Sequence, residues 1–318
     1  MITRRAFIRG LIAMGASGLA IGGYAVAEPF RMRVTTHRVR LPRWPSGLDL
    51  RLAVVSDIHV LDPWMSLERV REIVTRTNAL EADAVLLLGD YVPSHGMQKW
   101  ARRLFGEGRI ENDVWARELA RLSAPLGVHA VLGNHDWWDD IGVQERRGGP
   151  VPAAQALASA GIAVYENRVV RLAKGGQPFW LAGLGDQWAF WPRAGEPWRS
   201  ARIPYQGVDD LPATLMQVTD DAPVVLMAHE PDIFARMGPL ADRVALTVSG
   251  HTHGGQISLL GWTPVVPSAF GARYVYGHIV EDGRHLVVTS GLGVSGVPLR
   301  LGAPPEIVVI DVGSERTA

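Results

Sequence analysis

The stretch SGHTHGGQ, Ser249 to Gln256, sets two histidines one residue apart between glycines, directly after an apolar run, Val244 to Val248. On an extended backbone residues i and i+2 point to the same side, so His251 and His253 are expected to project together from a strand end. Flanking glycine permits a sharp turn and a close approach. Two converging imidazoles suit a divalent cation; as an isolated pair they fit a polar surface turn equally well. Asp57 and His59, in SDIH, repeat the same spacing.

Further chemistry-bearing residues sit in matching places. Five apolar runs end in SDIH, LGD, GNHD, AHEPD and GHTH. The metal-capable residues collected there are Asp57, His59, Asp90, Asn134, His135, His229, His251 and His253, which include five of the ten histidines. In α/β folds, sites gather at the carboxyl ends of strands. The chain has no cysteine, which excludes disulfides, thiolate metal sites and a cysteine nucleophile. A mixed nitrogen and oxygen ligand set suits Mn, Fe or Zn better than Mg or Ca, which prefer all-oxygen shells.

The elements that must position these groups follow from periodicity. Arg33–Leu41 alternates weakly and reads as an edge strand. Leu50–His59 and Ala84–Asp90 read as buried strands. Between them Leu67, Val70, Ile73, Val74 and Leu80 recur at helical spacing behind Ser66, an N-cap, which makes a βαβ unit. Residues 93–115 read as a long loop with a short helix. Val128–Asp136 is a further strand, Ala153–Ala160 a short helix, and Ile162–Leu172 and Phe179–Leu184 more strands. Pro223–Asp232 and Val244–His253 repeat the apolar-then-polar pattern. Glu281-Asp282-Gly283 marks a hairpin turn, and Pro305–Val312 closes the sheet. With 318 residues, 47% hydrophobic and 20% charged, the chain is globular. Zero formal net charge gives no support to bulk nucleic-acid binding. The lack of a phosphate-binding glycine loop gives none to a kinase or dehydrogenase.

In this order, D-x-H, G-D, G-N-H-D, H and G-H-x-H resemble the calcineurin-like metallophosphoesterase family over most of the chain after residue 27. The tail Gly291 to Val308 is similar to that family's exported YkuE/YaeI-type phosphodiesterase branch. The resemblance implies a four-layer αββα sandwich, two mixed sheets flanked by helices, with residues 28–318 as one domain. It implies two divalent metal ions. Asp57, His59, Asp90 and His253 would hold one; Asp90, Asn134, His229 and His251 would hold the other, with Asp90 bridging. Two such cations lower the pKa of a bridging water and offset charge in an in-line displacement. By the same resemblance His135 would protonate the leaving oxygen or hold the phosphoryl group. Asp136 would either orient His135 or form a strand-end ion pair. His95 and Arg300 are candidate substrate contacts; for Arg300 a structural ion pair is the other reading. His129 reads as a core residue, and His37, His278 and His285 as surface ones. Trp137 and Trp138 could line the pocket, while Trp188, Trp191 and Trp198 suit a core edge or a membrane interface.

The expected activity is hydrolysis of a phosphodiester. The alternatives are a lipid pyrophosphatase, similar to enzymes that cleave UDP-diacylglucosamine, and, in another class, a non-catalytic metal-binding envelope module. Such a module would be expected to have lost a ligand, and all seven positions are filled. At the N-terminus, Arg4-Arg5, an uncharged run from Gly10 to Ala27 and the small-x-small end Ala25 to Ala27 form a twin-arginine (Tat) signal, either cleaved or kept as an anchor. The protein is accordingly expected to meet the Tat export machinery, to lie in the periplasm or on the outer face of the cytoplasmic membrane, and to meet a lipid-borne phosphate substrate or the membrane surface.

Overall fold

The computed structural model describes residues 20–192 and 205–315. Two six-stranded sheets form the molecule. In the first, β1 (Arg33–Leu41), β12 (Glu306–Ser314), β2 (Leu50–Val55), β3 (Ala84–Leu87), β4 (Val128–Ala130) and β5 (Ala163–Val164) lie side by side in that order. In the second the order is β10 (Gly277–Glu281), β11 (Arg284–Val288), β9 (Val244–Ser249), β8 (Val224–Met227), β7 (Gln177–Gly183) and β6 (Arg168–Lys174). Both are mixed: β2, β3, β4 and β5 run parallel, as do β7, β8, β9 and β11, while β12 runs antiparallel to β2 and β6 to β7.

Strand alternation builds the layers. Leu52 and Val54 of β2 and Leu86 of β3 face Val225, Met227, Leu246 and Val248 of the other sheet. Their neighbours Ala53, Val55, Val85 and Leu87 point outward, onto Val70, Ile73 and Val74 of the helix Leu67–Asn78. Ser66 caps that helix, accepting the Arg69 N–H. On the far side Leu226 and Val288 are covered by Ile233, Phe234 and Leu211. Sheet packs on sheet, with helical segments outside each, which is the expected four-layer αββα sandwich. Each aliphatic side chain buried this way contributes about 1.5–3 kcal/mol.

Three sequence expectations are corrected. Residues 93–115 are mostly helical, not a long loop. Ser94 Oγ accepts the Met97 N–H and starts a helix over His95–Phe105, which Gly106 ends at φ 85°. A second helix, Asn112–Leu119, follows. Only Met97 and Ala101 of the first are buried, so its mixed charge concealed a narrow apolar stripe. The single strand expected over 162–172 is two, β5 and β6, in different sheets. The chain crosses at Asn167, in the left-handed region (φ 53°), whose side chain accepts the N–H groups of Gly185 and Asp210. The three histidines expected at the surface pack together: His285 is buried and stacks on half-buried His278, Nδ1 and Nε2 3.0 Å apart, and His37 meets His278 edge-on. His129 is buried, as expected.

The signal-like segment falls mainly outside the described residues, as does Trp198. Residues 20–27 are helical and run into a 3-10 turn at Glu28–Phe30. Among the described residues no helix is long and apolar enough to cross a membrane.

Candidate metal centre

Each motif begins where a strand stops. β2 ends at Val55 and β3 at Leu87, before Asp57, His59 and Asp90; β8 ends at Met227 and β9 at Ser249, before His229, His251 and His253. The pairing of His251 with His253, and of Asp57 with His59, does not come from strand alternation. Asp57, His59, Asp90, His251 and His253 all have left-handed backbones, with φ between 46° and 69°. That conformation is costly for non-glycine residues, though Asp and His tolerate it better than most, and it concentrates at functional sites. The glycines of the motifs serve close approach. A Cβ on Gly133 would collide with Asp90 Oδ1 and lie 2.7 Å from His229 Cε1; one on Gly250 would lie 2.5 Å from Asp57 Oδ2.

The result is a tight, buried cluster. Asp57, His59 and His253 bring ligand atoms within 4.8 Å of one another; so do Asp90, His229 and His251, and so do His59, Asp90 and His135. Asp90 Oδ2 stands between the two halves, 3.5 Å from His59 Nε2 and 3.3 Å from His229 Nε2. His59 Nε2 and His253 Nε2 are 3.1 Å apart, and His229 Nε2 and His251 Nδ1 3.2 Å. Tautomers follow from the outer partners. His59 Nδ1 lies 2.8 Å from the Val92 carbonyl and His229 Nδ1 2.6 Å from that of Leu88. A carbonyl only accepts, so both Nδ1 atoms carry a proton and both Nε2 atoms face inward, where a cation would take them. The Asn134 amide oxygen is buried with no hydrogen-bond partner among the described residues, and Asn134 lines the same cavity as Asp90 and His251. Converging ring nitrogens, two carboxylates and a buried amide oxygen fit divalent cations on either side of Asp90.

The charges agree with that fit. Burial alone would raise Asp90, but His229, His135 and His59 hold it well below the usual carboxylate range. Burial raises Asp57, with His229 opposing and Asp90 adding. Burial would lower His229, yet Asp90, Asp57 and Glu230 lift it well above the usual imidazole range. His251 and His253 are pushed far down by burial, helped respectively by His229 and by His59 with Arg300. One imidazole thus supplies positive charge that a bound cation would replace.

The other sequence candidates divide. His135 lines the cavity, its backbone N–H donated to Asp90 Oδ1 at 2.9 Å and its ring Nε2 3.5 Å from Ser295 Oγ. Burial pushes it down to about 3, with Asp90 opposing and His59 and His229 adding, so it is neutral at ordinary pH. Asp136 neither orients His135 nor forms an ion pair. Its carboxylate accepts the backbone N–H groups of Asp90, Tyr91, Val92 and Gly133. Burial and the Asp90 charge push that carboxyl up to about 7, against those N–H groups, which favour its ionised form.

Arg300 is corrected as a substrate contact. It is fully buried and donates to the carbonyls of Gly293, Ala303 and Ser290, with Nη2 3.1 Å from His253 Nδ1, so it sits behind the site and not in it. His95 is exposed at the start of its helix, its ring 5.7 Å from Trp191, and does not line the cavity with His135.

Two wall residues were not fixed by sequence reasoning. Trp188 is buried with its ring 4.4 Å from His251, so it belongs to the site and not to a core edge. Tyr205 stacks on Trp188 and packs on Trp138. The density of tryptophan near the GNHD motif was the only signal for this wall. Trp137 packs inward instead, edge-on to Phe190. The cavity measures about 530 Å³.

The sequence pattern described as calcineurin-like phosphoesterase matches residues 50–255. The chain is 28% identical over 323 residues to the uncharacterized metallophosphoesterase YkuE of Bacillus subtilis, covering 98% of each. It is 26% identical over 316 residues to the phosphodiesterase YaeI of Escherichia coli, covering 98% of this chain and 100% of that one. Among solved structures, a dimetal phosphatase from Danio rerio aligns at TM-score 0.43 and 15% identity, over 76% of this chain and 88% of that one. The chain is a metal-dependent phosphoester hydrolase and belongs to the calcineurin-like phosphoesterase family.

Proposed function

We propose that the chain hydrolyses a phosphodiester at a two-metal centre held by Asp57, His59, Asp90, Asn134, His229, His251 and His253. The observation that carries this reading is Asp90 Oδ2, flanked at 3.3 and 3.5 Å by the inward-facing Nε2 atoms of two imidazoles. Bound cations of the Mn, Fe or Zn type would supply a nucleophilic oxygen at neutral pH and neutralise phosphoryl charge. The chain's own part is to place and polarise. Carbonyls of Val92 and Leu88 fix the tautomers of His59 and His229. His135, neutral and on the cavity wall, is suited to donating its ring N–H to a phosphoryl or leaving oxygen. This is the second of the two roles its motif implies; a group neutral down to about pH 3 is a hydrogen-bond donor and not a cationic acid.

The diester preference draws on the name of the E. coli relative. A lipid pyrophosphatase is the second reading, and the uncharged cavity rim, Ile257, Val265, Pro267 and Val297, favours it over a free nucleotide. A non-catalytic envelope module fits less well, because every position of the expected ligand set is filled and Asp90, Asn134, His135, His251 and His253 line one cavity. Export by the Tat route, with residence outside the cytoplasm, rests on residues 1–27 of the sequence.

The deciding experiment strips the protein of metal, refills it singly with Mn, Zn or Mg, and compares bis-p-nitrophenyl phosphate with p-nitrophenyl phosphate. Metal-dependent turnover favouring the diester is expected. Turnover of the monoester alone would overturn the substrate class and leave the metal site standing.

A further inference from the structure

One rim of the cavity is apolar on its outer side as well. From Gly254 to Ala272 the chain carries no charged residue. Within that run Leu259 and Trp262 exchange both backbone hydrogen bonds, at 2.8 and 2.9 Å, and close a two-residue hairpin tip. The tip residues, Leu260 and Gly261, both lie at positive φ, 52° and 85°. Asn-Gly or Gly-Gly is the inexpensive choice for such a turn; leucine there is strained and gains no burial. Leu260 is fully exposed, and Trp262 and Val265 are 64% and 72% exposed. An exposed patch of this kind marks an interaction surface.

The N-terminal segment ends on the same rim. The Arg300 N–H donates to the Ala25 carbonyl, and the Gly302 N–H to the Glu28 carboxylate. On its other side this three-residue stretch bonds Gln256 and Ser258 through Leu301. Residues 25–28 and the base of the hairpin are therefore separated by a single strand-like segment. Ala25, Glu28 and Pro29 are buried, whereas Ile21, Tyr24 and Val26 face outward. They continue the uncharged run that starts at Gly10. Arg31, exposed, lies over the Tyr24 ring at 5.5 Å. Outward aliphatics, an aromatic and a flanking arginine have the composition of a lipid–water interface.

We infer that this rim is a membrane-docking surface: residues 20–31 and the Leu259–Val265 hairpin lie against a lipid bilayer and hold the cavity mouth at headgroup depth. The occupant is a bilayer because an uncharged stretch of 18 residues, Gly10 to Ala27, leads into the rim and its end is built into the fold. A peptidase needs the bond after Ala27 extended and free; here residues 20–27 are helical and Glu28 is buried. The segment is kept, and the enzyme acts on a phosphoester borne by an amphiphile. The substrate part of this inference rests on the phosphoesterase reading above; the docking part does not.

The native chain has no cysteine, so Leu260→Cys, Val265→Cys and, as a remote exposed control, Met216→Cys each carry one probe site. The full-length, metal-loaded protein is labelled with an environment-sensitive fluorophore and mixed with phosphatidylcholine vesicles containing a minority of phosphatidylglycerol. Emission is expected to shift to the blue at 260 and 265 and to stay put at 216. No shift at 260 and 265, or the same shift at all three, overturns the docking. In parallel, a Leu260→Ser/Trp262→Ser variant is expected to keep its turnover of soluble bis-p-nitrophenyl phosphate. It should lose about tenfold on a vesicle-borne lipid p-nitrophenyl diester, the equivalent of one buried leucine side chain. Equal turnover by variant and wild type on the vesicle-borne diester overturns the substrate assignment. If wild type leaves both diesters intact while the blue shift appears, docking is upheld and the phosphoesterase substrate reading falls.

Discussion

Asp136 holds Asp90 in place from a neighbouring turn: its Oδ2 accepts the Asp90 N–H at 2.9 Å, and its Oδ1 those of Tyr91 and Val92 at 2.9 and 3.2 Å. Because Oδ2 also accepts the Gly133 N–H, one carboxylate fixes both the GD and the GNH backbones. Asp136→Asn puts an NH2 group against donors and leaves buried N–H groups unpaired, at a cost of about 1–3 kcal/mol. Thermal denaturation should show that loss, and metal analysis should show fewer than two ions per chain. Lower stability with full metal content would make Asp136 a structural tie alone.

Asp90→Asn and His135→Ala should both abolish most turnover by different routes. The Asp90 variant should lose metal, because Oδ2 faces both halves of the cluster. The His135 variant should retain metal and lose about 10²–10³ in kcat. Metal content measured beside kcat separates them. Metal loss in the His135 variant as severe as in the Asp90 one would make His135 a ligand, as its place in the His59–Asp90–His135 group allows.

His135 should add acid sensitivity to the metal-free protein. His135 is pushed from 6.5 to about 3 in the fold, so as pH falls the unfolded chain takes up that proton first. The His135 contribution is intact above about pH 6.5 and drains away toward pH 3, while Asp136, raised to about 7, acts in the opposite direction. His251 and His253, also lowered, act in the same direction as His135. Melting temperatures of chelated wild type and His135→Asn, at neutral and mildly acidic pH, should show the smaller drop in the variant. Equal drops would mean that His135 titrates normally.

Gly250→Ala should damage one half of the centre more than the other. The added methyl meets Asp57 Oδ2 at 2.5 Å, and Asp57 cannot swing away easily, since the His251 N–H bonds both its oxygens. Metal content should fall from two toward one per chain, with the second ion still retained on the Asp90, His229 and His251 side. Loss of both ions together would show that the halves fill cooperatively.

Arg300→Met should lower metal affinity and leave KM for a soluble diester within about twofold once metal saturates, because a group behind His253 acts on a ligand and not on phosphate. A large rise in KM at saturating metal would return Arg300 to the substrate side.

Much of this site is legible in the sequence because its residues follow apolar runs, and a run's end is visible in a one-dimensional pattern. Asp57, Asp90, Asn134, His229 and His251 all come together on that ground. The reason offered for their convergence was incomplete, however. Spacing i, i+2 is the same in a strand and in a left-handed turn, and only φ distinguishes them, as at His251 and His253. Arg300 misled for a related reason: the sequence shows an arginine near a glycine-rich tail, but not that its donors are consumed by carbonyls of that tail. The β5–β6 break was hidden because Asn167 interrupts an otherwise continuous alternation with a polar residue that a surface strand also accepts.

Strand β12 lies between β1 and β2, so Arg33 pairs with Glu306 and Leu41 with Ser314. Strand β1 has its place in the sheet only once β12, 273 residues further on, has been made. The dock for Ala25 and Glu28, at Arg300 and Gly302, is made equally late. Contacts of such separation close slowly and after the rest of the fold. The segment before β1 therefore stays undocked until the Arg300–Gly302 stretch and β12 have been made.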